Sequence, residues 1–145
     1  MPFRFPLAAV LLVREHTEKR EERALQKIQS EWALVVRQIE ELSAEIANAH
    51  NVREQALQEP IAAFELHSFH SHTQAAAEKK KKLLHRLQTL DQERKVQMKI
   101  YQAAHSDRET LTDMLDKQRD AYEQEQVRNQ QKQLDDIFMA RRHRS

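Results

Sequence analysis

The chain has 145 residues with no glycine and no cysteine, three prolines, and aromatics at only 6%. The missing glycine is the most restrictive of these. A compact domain spends about 7% of its residues on glycine, because tight turns and left-handed helix caps need positive φ. A chain without it makes few turns, which argues against sandwiches, barrels, doubly wound sheets and glycine-rich phosphate loops. The scarcity of bulky apolar residues argues against a broad globular core. Zero cysteine removes disulfides, thiolate catalysis and cysteine-based zinc or iron–sulfur sites, and suits a cytosolic setting. The net charge of +1 creates no field that would by itself recruit nucleic acid or an anionic membrane. No run approaches the ~20 apolar residues of a membrane span. The apolar stretch from Phe5 to Val13 follows Arg4 as a signal peptide would, but Pro6 interrupts it, no small-residue cleavage site follows, and Arg14-Glu15 comes at once. The expectation is a soluble, unprocessed chain made of long helix.

What is present is a seam. Steps of alternating three and four from Leu25 meet Ile28, Trp32, Val35, Ile39, Leu42, Ile46 and Ala49, all apolar. Such a 3.5-residue repeat implies a left-handed supercoil with a partner helix. Extended backwards, the seam runs through Glu21, Glu18, Arg14, Leu11 and Leu7. Pro60 disfavours helix at Glu59 and is suited to open a new one. Beyond it the stepping resumes in a new frame, through Ala62, Leu66, Phe69, Thr73, Ala76, Lys80, Leu83, Leu87, Leu90, Arg94, Gln97, Tyr101, Ala104, Arg108, Leu111, Leu115, Gln118 and Tyr122, richest at its beginning and thinner after Leu90. Antiparallel pairing across Pro60 sets Phe69 to Leu90 level with Ala49 to Ile28, and Trp32 across from Arg86 and Leu87.

The fold expected is all-α, a long antiparallel two-helix coiled-coil hairpin with an overhanging C-terminal helix. It forms one coiled-coil domain over residues 1–145, with helix one at about 5–57, a turn near 58–60, helix two at about 61–140 and a basic tail at 141–145. Helices of roughly 50 and 80 residues span ~75 and ~120 Å, so helix two outruns its partner. After Tyr122 the apolar stripe slips to Val127, Leu134, Ile137 and Phe138, a face that helix one does not reach.

Most other features have a structural explanation. Lys79-Lys80-Lys81-Lys82 lacks interleaved aromatics and reads as a solvated flank. Arg141-Arg142-His143-Arg144 suits an anionic contact, and equally the dipole of a helix C-terminus. His67, His70 and His72 lack an acidic ligand at matching spacing, Trp32 is a seam knob, and Glu40 and Glu41 lie on a solvated face where nothing shifts their pKa. No catalytic, cofactor or metal site is expected. Arg14, Glu18 and Glu21 stand apart, since charge on the seam weakens helix pairing. So does the mixture of apolar and acidic residues around Leu134, Asp135 and Asp136.

The opening run Phe3-Arg4-Phe5 to Glu18, the long glycine-free hairpin and the closing Gln131-Lys132-Gln133-Leu134-Asp135-Asp136 followed by basic residues resemble the flagellar export protein FliJ family over essentially the whole chain. The turn departs from the family pattern, with Pro60 where glycine is frequent, and Asp136 stands where glutamate is more usual. The resemblance implies a non-enzymatic stalk of a type III protein export ATPase, inserted into the hexameric ATPase ring and promoting its assembly. Its implied partners are that ATPase, the export gate membrane protein on its cytoplasmic side, and export chaperones, with no nucleic acid and no membrane insertion. Its implied place is the cytoplasm, peripherally at the inner-membrane export apparatus, in the service of motility. The ring-facing residues implied are Phe3, Leu7, Leu11, Arg14, Gln131, Leu134, Asp135 and Asp136, with Phe69 toward the gate. The alternatives are the equivalent stalk of a virulence-type injectisome and a generic coiled-coil spacer or scaffold.

Overall fold

The computed structural model describes residues 2–60 and 62–144 as an all-α fold, two long helices packed antiparallel in a hairpin. Helix α1 runs Ala8–Ala56 and α2 runs Ala63–Arg144. Helix α1 starts at Ala8 because Pro6 holds a turn: the Ala8 N–H donates to the Phe5 carbonyl at 3.1 Å, and the helical ladder opens with Leu11 N–H to the Leu7 carbonyl at 2.9 Å. Phe5 therefore stands off the helix and folds into a buried position.

At the other end α1 tightens as it stops. Leu57 N–H donates to the Arg53 carbonyl four residues back, then Gln58 to Gln55 and Glu59 to Ala56, each three residues back. No described residue has positive φ, so the connection forms without the left-handed cap that glycine would supply. Residue 61, where helix two was expected to open, lies outside the described residues, as do residues 1 and 145. Helix α2 is established at Ala63, with the Glu65 and Leu66 N–H groups both donating to the Ala62 carbonyl. It continues to Arg144, taking the basic residues 141–144 into its last turn, where cations suit the helix dipole.

The interhelical contacts gather into two compact units, a turn unit of Glu22–Ile100 and a terminal unit of residues 1–21 with 101–145. In the turn unit every seam residue of α1 from Leu25 to Ala49 is buried or half-buried, and so is every seam residue of α2 from Leu66 to Gln97. The 3.5-residue repeat thus describes the packing. The core is thin, and Leu90, at 0% exposure, is its one fully enclosed large side chain among the described residues. Thr73 sits on the seam with its hydroxyl bonded to the Phe69 carbonyl at 2.9 Å, which satisfies the polar group locally.

Across the pair, Arg86 donates to Glu31 at 3.4 Å and His72 meets Glu45 at 3.3 Å. Trp32 is one residue from Glu31, so its backbone stands near the expected level of Arg86. Its ring, however, is covered by the Arg94 guanidinium, 5.6 Å from the centroid. Arg94 is itself held by Asp91 at 2.9 Å. A flat cation with a long apolar stem can fill the space beside a ring too large for a two-helix seam.

Candidate functional site

The terminal unit holds the seam charges of α1, Arg14, Glu18 and Glu21, which the sequence suggested would weaken helix pairing. The structure corrects this. Arg108 Nε donates to Glu18 Oε2 at 2.6 Å, Arg14 lies 3.5 Å from Asp107, and His105 Nδ1 lies 3.6 Å from Glu18 Oε1. Arg108 also reaches the Thr112 hydroxyl at 3.4 Å. Glu21 meets Arg20 of its own helix at 3.3 Å. The physical reason is that α2 brings its own seam charge, Arg108, to this level, so charge meets opposite charge.

The Glu18 side chain is only 17% exposed. The hydrogen bond from Arg108 is the main cause holding its carboxyl below the ordinary glutamate value, reinforced by the charges of Arg108 and His105 against the opposing effect of burial. The same bond raises the Arg108 guanidinium. The pair joins the helices structurally.

Around this ionic layer the first turns of α1 are apolar. Phe3 packs against Tyr122 with ring centroids 5.5 Å apart, an edge-tilted contact of the favourable range. Phe3, Phe5, Ala8, Leu11, Leu12 and Leu115 line an open groove of about 320 Å³ together with Glu15 and Arg119. Leu11 is 9% exposed and Leu7 is half-buried, whereas Arg14 is exposed. Of the ring-facing residues implied between Phe3 and Arg14, Phe3, Leu7 and Leu11 are thus covered to different degrees. Val10, Leu12 and Val13 are the large exposed side chains of this apolar stretch, Val13 at 61%. None of these three was among the residues that the resemblance implied. The available signal was seven uncharged residues from Leu7 to Val13, more than a seam with two places in seven can use.

All described residues from Val127 to Arg144 are exposed, Gln131, Leu134, Asp135 and Asp136 among them. Gln131 Nε2 donates to Asp135 Oδ1 one turn on, at 3.4 Å. Leu134 is 62% and Phe138 68% exposed, with Ile137 and Met139 also more than half exposed. At 100° per residue these four spread over about 200° of the helix circumference.

In the turn unit, Phe69 is half-buried beside the more exposed Phe64, and the two line a shallow groove with Glu65 and Ser68. Among the described residues no group of three metal-ligating side chains comes together, and His72 is engaged by Glu45. No helix is long and apolar enough to cross a membrane, among the described residues.

Two paired helices, with exposed apolar turns in the terminal unit, define an all-α coiled-coil protein. The family model described as flagellar FliJ protein matches residues 3–145, and the chain belongs to that family. It is thereby a flagellar, export-related protein. No curated protein and no solved structure matches the chain significantly.

Proposed function

We propose that this chain is the non-enzymatic stalk of the flagellar type III export ATPase, entering the hexameric ring with its terminal unit and promoting ring assembly from the cytoplasmic face of the export apparatus. The observation that supports the reading is the distribution of apolar side chains near the end of α2. Leu134, Ile137, Phe138 and Met139 are all more than half exposed and cover too wide an arc for one flat partner. A sleeve can bury them together. Gln131, Asp135 and Asp136 carry polar contacts at the same level and orient entry, while Arg14 adds charge beside the first turns of α1. Phe69, next to the exposed Phe64, serves the export gate, and chaperones engage the remaining helical surface.

The test is ATP hydrolysis by the cognate ATPase at limiting concentration. Leu134→Ala should weaken stimulation at every salt concentration, because apolar anchors govern residence time. Asp135→Asn with Asp136→Asn should slow it most at low salt, where charge steers association. A wild-type chain that neither stimulates hydrolysis nor shifts the ATPase toward hexamer removes the stalk reading and leaves a spacer.

A further inference from the structure

We infer that the turn unit carries a docking groove for a partner helix that is apolar on one face and acidic on its flanks. The groove lies between α1 and α2 and uses no residue of the terminal unit, so the inference goes beyond the stalk reading and does not depend on it.

Ile28 of α1 and Thr89, Gln92, Glu93, Val96 and Gln97 of α2 line an open groove of about 430 Å³. Ile28 is half-buried, Val96 is 60% exposed, and Ile100, one turn further along α2, is 44% exposed. Val96 and Ile100 are spaced i, i+4 and occupy neither seam position, so the hairpin itself leaves them in water. A helix in a two-stranded pair normally keeps the flanks of its seam polar. The opposite flank of α2 does so at this level, with Gln88, Asp91 and Lys95.

The charges beside the groove identify the partner. On the outer edge of α1, Arg23, Lys27, Ser30, Leu34 and Arg37 succeed one another at spacings of four and three, and none is acidic. Gln92, Val96 and Lys99 make the matching edge of α2, again without an acid. Arg23, Lys27, Arg37 and Lys99 are exposed and engage in no ion pair among the described residues. Of the two carboxylates between these edges, Glu31 is held by Arg86 at 3.4 Å, which leaves Glu93. An apolar strip between cationic edges complements a helix with acidic flanks, and Glu93 fixes its register by requiring one donor opposite.

Other occupants fit less well. A second copy would set these cations against their own symmetry mates. A flat bilayer surface reaches Val96 but not Ile28 between the helices, and the groove has none of the aromatic side chains that favour lipid or single-stranded nucleic acid. An extended strand would find no strand edge for its backbone groups.

The experiment uses the full-length chain and two designed helical peptides of about 20 residues. Both have leucine at the a and d positions, one with glutamate and the other with lysine on its flanks, and anisotropy of the labelled peptides reads binding. The glutamate peptide should bind in the micromolar range and weaken as salt rises, and the lysine peptide should bind about tenfold or more weakly. Val96→Gln with Ile100→Gln should weaken the glutamate peptide about tenfold or more while helicity and melting temperature hold, glutamine being a good helix former. Leu84→Gln, on the other flank of α2, should change nothing. Lys27→Glu with Lys99→Glu should reverse the preference between the peptides.

Failure of the glutamate peptide to bind, equal binding of the two peptides, or binding that survives both pairs of substitutions overturns the inference. So does a variant pair that dissolves a dimer seen by sedimentation, or that abolishes binding to phosphatidylserine vesicles, while peptide binding persists. ATPase stimulation by the variants should match the wild type, and its loss would assign the groove to the ring instead. A wild type that fails to stimulate removes the stalk reading alone, because the peptides are read without the ATPase. Should the glutamine pair lose helicity, the Lys27→Glu and Lys99→Glu pair, at exposed positions away from the seam, decides.

Discussion

Leu90→Ala tests the packing argument most directly. Leu90 is fully enclosed in the turn unit, and truncation to alanine removes three carbon atoms from the seam. At about 0.8 kcal/mol for each buried methylene equivalent, the transfer loss is about 2.4 kcal/mol. A cavity contribution adds to this, though a core one layer wide can close on the gap, so the total should lie near 3 kcal/mol, in the lower part of the range for buried leucines. Leu134→Ala is the matched control. The same atoms leave a side chain that is 62% exposed, and the cost should stay within about 0.5 kcal/mol. Urea unfolding followed by helical ellipticity gives both values. A loss below about 1 kcal/mol at Leu90, or an equal loss at Leu134, would refute the assignment of the seam and show that the end of α2 is covered.

Two further outcomes follow from the interhelical contacts. The Glu18 carboxyl has its pKa lowered below the ordinary value of 4.5, so its contribution is fully present above that value and is lost as pH falls through the lowered one. Glu18→Gln should therefore cost up to about 1 kcal/mol near neutrality, and the difference from wild type should shrink in unfolding curves taken progressively below about pH 4.5. Cysteines replacing Glu31 and Arg86, whose long side chains meet at their tips at 3.4 Å, stand too far apart for a direct disulfide but should be joined within one chain by a bismaleimide crosslinker. Crosslinked dimers on a denaturing gel in their place would mean that the helices pair between chains.

Much of this was legible in the sequence because helical periodicity is local. Leu25, Val35, Leu42, Ala76, Leu90 and Ala104 could be placed on the seam by counting, and all are buried. Identifying the partner of each is a different problem, since it depends on the register between segments far apart in the chain. Glu18 and Arg108 are 90 residues apart, and no local pattern says that one will neutralise the other. The same holds for Phe3 with Tyr122 and for Arg94 over Trp32. The sequence analysis placed Trp32 beside Arg86 and Leu87, and could not anticipate that a seam arginine from further along α2 would cap the ring.

The candidate surface divides in the same way. Absence of glycine, two seam frames and Pro60 between them suffice for a two-helix hairpin, because backbone conformational preference and apolar spacing act residue by residue. The length difference between the helices likewise suffices to leave the end of α2 uncovered. Composition alone could not sort Leu11 from Val10, Leu12 and Val13, which are chemically alike and adjacent. Tertiary structure separates them by the direction in which α2 lies, turning one toward the pair and leaving three exposed. Burial is a property of two surfaces in contact, and only the packed pair specifies the second one.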